Sequence, residues 1–206
     1  MTTPDKMFSI LIYAWRTNLR IIHTLIVLRK RMVYMNRNDM YFSKLDMLWH
    51  IFADVPDATA FIRGSQKYLH VKGIAQFYQQ VRGVLVVLEV MELPTTMEKC
   101  SGGIHAVHIH EGDECSGNAT DPFAETGMHY NPMGCIHPKH AGDLPPIFEN
   151  EGYGLSVFYT NRFTVDEVIG KTIIVHENID DFSTQPSGNA GAKIACGEIT
   201  RVRINR

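Results

Sequence analysis

His108 and His110 stand two apart in HAVHIHEGDEC (105–115), a spacing that sends both imidazoles to one face of an extended strand. Two neutral imidazoles on one face are half of a four-coordinate metal site, so metal ligation is the first chemistry to consider. His105 has the opposite parity and is read as a packed or backbone-bonded histidine. Of ten histidines in the chain, seven fall between 105 and 176. His129 sits in GMHYNP, His137, His140 and Asp143 in HPKHAGD, and His176 ends TIIVH, 66 residues after His110. A lone histidine such as His176 is ordinarily a satisfied core residue. Set beside five other histidines and an aspartate, it reads as a ligand.

Two arrangements stay open on residue type alone. Two histidines and a carboxylate around zinc, with one position left for water, would serve hydrolysis. Four imidazoles in a tetragonal plane suit copper. The ligand-type residues His108, His110, His129, His137, His140, Asp143 and His176 number seven, one short of what two four-coordinate ions need. Two metals fit if one histidine is shared.

These residues must be positioned by strands and loops. From Ala58 onward, short runs rich in β-branched and aromatic residues alternate with turn residues: 58–65, 71–80, 83–93, 103–110, 153–160, 171–177 and 193–199. FTVDEVIG (163–170) fits a short helical turn or a bent strand. Two long irregular stretches, 111–152 and 178–192, interrupt the series, and loops of that length in a compact domain usually carry function. The pattern predicts an all-β chain, an antiparallel, immunoglobulin-like sandwich or a barrel with two long functional loops.

Charge divides the chain. Residues 1–46 carry eight Lys/Arg against three acids (net +5), and residues 47–206 carry twelve against nineteen (net −7). The boundaries expected are therefore an N-terminal extension, 1–46, and a domain, 47–206. An acidic domain argues against nucleic acid as a partner. In the extension the uncharged runs Met7 to Trp15 and Ile21 to Leu28 are both far below the roughly 20 residues of a membrane span. Its basic cluster follows the apolar stretch, unlike a signal peptide. The readings left are a helical amphipathic segment resting on a surface, with membrane contact not expected, and a mis-called start. Without a signal peptide, the expected compartment is cytoplasmic. The four cysteines, Cys100, Cys115, Cys135 and Cys196, contain no C-x-x-C pair, so a Cys₄ zinc ribbon is not expected. Their even number permits two disulfides; buried thiols are the alternative.

Taken in order, H-x-H after a strand, G-x-H-Y-N-P, H-A-G-D-L, V-H-E-x-x-D-D and G-N-A-G-x-x-x-A-C-G resemble the copper/zinc superoxide dismutase family over about residues 58 to 200. The resemblance implies that His108, His110, His129 and His176 hold copper. It implies that His129 bridges to zinc, completed by His137, His140 and Asp143, which supplies the shared ligand. Asp180 would link His108 to His137 and fix both rings. Cys115 and Cys196 would form the family's disulfide, present in that family even in reducing cytosol. The implied fold is a Greek-key barrel. The implied reaction turns two superoxide anions into oxygen and hydrogen peroxide, copper alternating between Cu(II) and Cu(I) and His129 releasing copper to carry a proton. A homodimer is common in the family. A non-catalytic copper carrier or metallochaperone on the same fold is the alternative function.

The departures carry expectations of their own. Lys193 stands where the family usually has an arginine beside copper; it keeps the charge and loses the planar fork, so slower turnover is expected. The second loop has no Lys or Arg, which leaves steering of the anion to Lys193. Only Pro138 and Lys139 separate two zinc ligands, making zinc less secure than copper. Cys100 and Cys135 lie outside the family pattern and are expected to pair in a second disulfide bracing that shortened loop.

Overall fold

The computed structural model describes residues 55–95 and 103–203. The N-terminal extension, 1–46, lies outside the described residues, as does Cys100. Among the described residues no helix is long and apolar enough to cross a membrane.

The described residues run through ten strands: β1 (Ala58–Gly64), β2 (Lys72–Gln80), β3 (Gly83–Met91), β4 (Ile104–His105), β5 (Val107–His110), β6 (Ile147–Asn150), β7 (Tyr153–Thr160), β8 (Thr172–His176), β9 (Lys193–Glu198) and β10 (Thr200–Arg201). Pairing is antiparallel throughout, in the order β4-β6-β7-β3-β2-β1-β9-β8-β5, with β10 on β1. Its two outermost strands, β4 and β5, are consecutive in the chain with only Ala106 between them. A sheet whose opposite edges are joined by one residue has to curl back on itself. The result is a nearly closed antiparallel barrel, the all-β class expected from the sequence. Ala106 sits at the seam, its N–H donating to the Asn178 carbonyl and its carbonyl accepting from the His176 N–H.

Side-chain alternation fills the barrel. Ala58, Ala60 and Ile62 of β1, Val84, Val86, Leu88 and Val90 of β3, and Ile173 and Val175 of β8 point inward with Phe77, Val107, Ile109 and Ile194. Each fully buried large apolar side chain contributes on the order of 2 kcal/mol by leaving water. The helical reading of 163–170 holds: Val165–Val168 forms one helical turn, α1, closed by a capping box in which Thr164 and Glu167 serve each other's backbone. It buries Val165 and Val168 at the end of the barrel.

The structure departs from the sequence pattern in two places. The expected strand 103–110 is broken at Ala106, because β4 pairs with β6 while β5 pairs with β8. The irregular stretch 111–152 conceals a strand, β6, whose four residues IFEN are too few to show alternation.

Candidate metal centre

The metal centre starts from the parity of β5. Val107 and Ile109 face the apolar interior, so His108 and His110 face outward. Both are nonetheless buried, at 0 and 3 % exposure, because the first long loop folds back over them. It docks on the open edge of β5 through backbone bonds: Ile109 N–H to the Gly142 carbonyl, Leu144 N–H to Val107, Tyr130 N–H to Ile109, and Glu111 N–H to Met128. His110 is thereby set opposite His129, and His108 opposite Asp143. Gly142 is required for this approach, since a Cβ there would lie 2.2 Å from the Ile109 carbonyl oxygen. The Cys115–Cys196 disulfide ties the same loop to β9, where Cys196 packs with Phe123 and Ile174.

Two clusters of ligand atoms result, one of His108, His110, His129 and His176, the other of His129, His137, His140 and Asp143. Within each, the ligand atoms lie within 4.8 Å of one another, and all seven side chains are buried. His129 belongs to both. Its Nδ1 lies 2.8 Å from Asp143 Oδ1, and its Nε2 is buried without a hydrogen-bond partner. The Nδ1 atoms of His108, His137 and His140 are buried and make no hydrogen bond either, those of His137 and His140 lying 3.1 and 3.3 Å from the Asp143 carboxylate. A buried polar atom left unpaired is costly; four of them turned inward on two clusters fit bound cations.

The opposite nitrogens are held in place. His108 Nε2–H donates to Asp180 Oδ2 at 2.8 Å, and His137 Nε2–H to Asp180 Oδ1 at 2.9 Å. His110 Nδ1–H donates to the Gly127 carbonyl at 2.9 Å, and His176 Nδ1 lies 3.4 Å from that of Gly191. Each such contact selects the tautomer whose free lone pair faces the cluster, as metal-binding histidines require. Burial lowers the pKa of His108 and of His176, and that of His110 to about 3, which keeps the rings neutral and ligand-ready. For the two aspartates burial pushes the other way, yet their histidine partners win. Asp143 is lowered by His129, and Asp180 by His108, the Phe182 N–H and His137. Both stay ionised. Gly188 makes room for Asp180, as a Cβ there would come within 1.9 Å of its Oδ1.

A cavity of about 420 Å³ opens on the first cluster, lined by His110, His129, His176, Gly191, Lys193 and Asp121 among others. Lys193 reaches it, but not as a lone cation. Its ammonium donates to Asp121 Oδ2 and to the Phe123 carbonyl, each at 2.9 Å. Asp121 was not legible as a site residue, since it lies in the irregular loop 72 positions from its partner. Gln185 was also missed: its side-chain amide donates to the His137 carbonyl and accepts from the His137 N–H, clamping that ligand's backbone. His105, of opposite parity, bonds through Nδ1 to the His176 carbonyl.

Cys100, the partner expected for Cys135 in a second disulfide, lies outside the described residues, among which Cys135 is a free thiol. The brace it was to supply comes from Asn131, whose side-chain amide accepts from the Cys135 N–H and donates to its carbonyl, both at 2.9 Å. A side-chain amide doing a backbone's work closes this turn without a covalent link.

A Greek-key barrel carrying two histidine clusters joined through one imidazole defines a dinuclear metalloprotein centre. The family model described as copper/zinc superoxide dismutase matches residues 71–199. A Deinococcus radiodurans superoxide dismutase [Cu-Zn] is 34 % identical over 146 residues, 62 % of this chain and 76 % of the relative. Superoxide dismutase [Cu-Zn] 2 of Aquifex aeolicus is 33 % identical over 142 residues, 62 % and 78 % of the two chains. An extracellular superoxide dismutase [Cu-Zn] of Onchocerca volvulus is 30 % identical over 162 residues, 69 % and 74 %. The chain belongs to the copper/zinc superoxide dismutase family, and is an oxidoreductase.

Proposed function

We propose that the protein dismutes superoxide, two anions and two protons giving oxygen and hydrogen peroxide, with copper on His108, His110, His129 and His176 and zinc on His129, His137, His140 and Asp143. The observation that carries this reading is His129, one ring serving both clusters, its Nδ1 against Asp143 and its Nε2 buried without a hydrogen-bond partner. When bound, copper supplies one-electron exchange with superoxide and zinc sets the basicity of the bridging imidazole. The chain's own residues do the rest. His129 Nε2, when not ligating, is the atom that holds a proton beside the reacting anion. Lys193 spends two of its three N–H donors on Asp121 and Phe123, which leaves one to orient an anion. Asp121 cancels its charge at the cavity wall, so attraction of superoxide rests mainly on the metals.

The first experiment is superoxide-dismuting activity of protein loaded with copper and zinc, with metal content per chain. Cyanide-sensitive activity at one copper and one zinc per chain is expected. Full copper occupancy without activity would point to the carrier function instead. Lys193→Arg is expected to raise the rate several-fold at low salt, because a guanidinium has five donors and can serve Asp121, Phe123 and the anion together. An unchanged rate with an unchanged salt dependence would count against a steering role for Lys193.

We also assign the family's homodimer to the outer face of β7. Tyr153, Leu155, Val157 and Tyr159 alternate there at 40 to 53 % exposure, while Phe158 packs against the core. An apolar row on one strand meets its own copy across a two-fold axis. Sedimentation should give twice the chain mass of 23.3 kDa, and Leu155→Lys should return it to one.

A further inference from the structure

Arg162 lies in TNRF, between β7 and α1, outside both long loops and outside every ligand motif. One nitrogen of its guanidinium, Nη1, donates to three carbonyls: Pro138 at 3.1 Å, His140 at 3.2 Å and Asp143 at 3.2 Å. Those carbonyls belong to two of the ligands of the second cluster and to the residue that follows the third, His137. Among the described residues no backbone N–H reaches the Pro138 or Asp143 carbonyl, and the His140 carbonyl has only the long 3.3 Å bond from Asp143 N–H. With two residues between His137 and His140, the segment is too short to form regular structure that would satisfy them.

We propose that Arg162 is the positioning residue for the zinc ligands, its cation gathering three carbonyls so that His137, His140 and Asp143 face one point before metal arrives. This inference rests on the zinc reading of that cluster. The chemistry favours arginine because a charged donor bonds carbonyls more strongly than a neutral one, and its planar fork holds direction where an ammonium would not. Arg162 is itself exposed and takes no part in the barrel core, so its removal leaves folding to the apolar interior. No cysteine, disulfide or longer loop is needed to hold the segment.

The test is metal affinity of Arg162→Met and Arg162→Lys, measured on metal-depleted protein by zinc competition with a chromophoric chelator. Cobalt, whose visible bands report tetrahedral geometry, is titrated in parallel. Arg162→Met is expected to weaken zinc binding at least tenfold, in line with the effect of losing a residue that orients ligands, and to flatten the cobalt bands. Arg162→Lys should recover part of the loss, and copper affinity should stay within twofold in both. Wild-type zinc affinity in Arg162→Met would overturn the inference, as would equal loss of zinc and copper, which marks general loosening. Failure of the unmodified protein to bind one zinc or cobalt per chain would overturn the zinc reading itself, and the role of Arg162 with it.

Discussion

Asp180→Asn is expected to weaken copper binding between tenfold and a hundredfold while zinc binding changes less. Asp180 is 1 % exposed and accepts on both oxygens, from His108 on Oδ2 and from His137 and the Phe182 N–H on Oδ1. An asparagine offers one oxygen and one NH₂ in the same space. Two donors converge on Oδ1, so the amide oxygen settles there and the NH₂ is turned toward His108. That ring can no longer donate through Nε2. It must accept there, which moves its proton to Nδ1, the atom that faces the cluster. A protonated Nδ1 cannot ligate. The damage therefore falls on the copper side, even though the aspartate touches a ligand from each side. Competitive titration of copper and zinc, in that order, reads the difference. Preferential loss of zinc would show that the carboxylate acts mainly through His137 and that the amide does not settle as argued.

The largest stability effect is expected from the disulfide. Cys115 and Cys196 are 81 positions apart, and closing a loop of that length removes about 4 kcal/mol worth of chain freedom from the unfolded state. For a domain of this size each kcal/mol moves the melting temperature by roughly 2–4 °C, so Cys115→Ser should melt about 10 °C or more below the parent. Calorimetry of the metal-free forms checks it. The consequence reaches the copper side, because the tied loop carries the Gly127 carbonyl that orients His110 and the Asp121 that holds Lys193. An unchanged melting temperature would mean that the backbone bonds along β5 already hold the loop without the cross-link.

Much of the molecule was legible in the amino-acid order because its determinants are local. H-x-H announces two ligands on one face, since strand parity is a property of consecutive residues. The alternating runs of β1 and β3, the capping box at Thr164 and the turn residues between strands are likewise short-range signals. The ordered motifs carried the family resemblance, and with it the seven residues of the two clusters, Asp180 between His108 and His137, and the Cys115–Cys196 pair.

What only the tertiary structure decided are the partnerships between distant segments. Strand pairing put β4 and β5 on opposite edges of one sheet, so the strand breaks at Ala106 although its residues read as continuous. Pairing also made a strand of IFEN, which has no periodicity of its own. Asp121 with Lys193, and Arg162 with the zinc segment, join residues 72 and about 20 positions apart, and neither partner carries a local mark of the other. The expected Cys100–Cys135 disulfide rested on no such local signal either. A count of leftover cysteines says nothing of distance, and the turn that holds Cys135 is closed by Asn131, four residues away. Spacing dictates which way a side chain points; what it meets there depends on how the barrel closes.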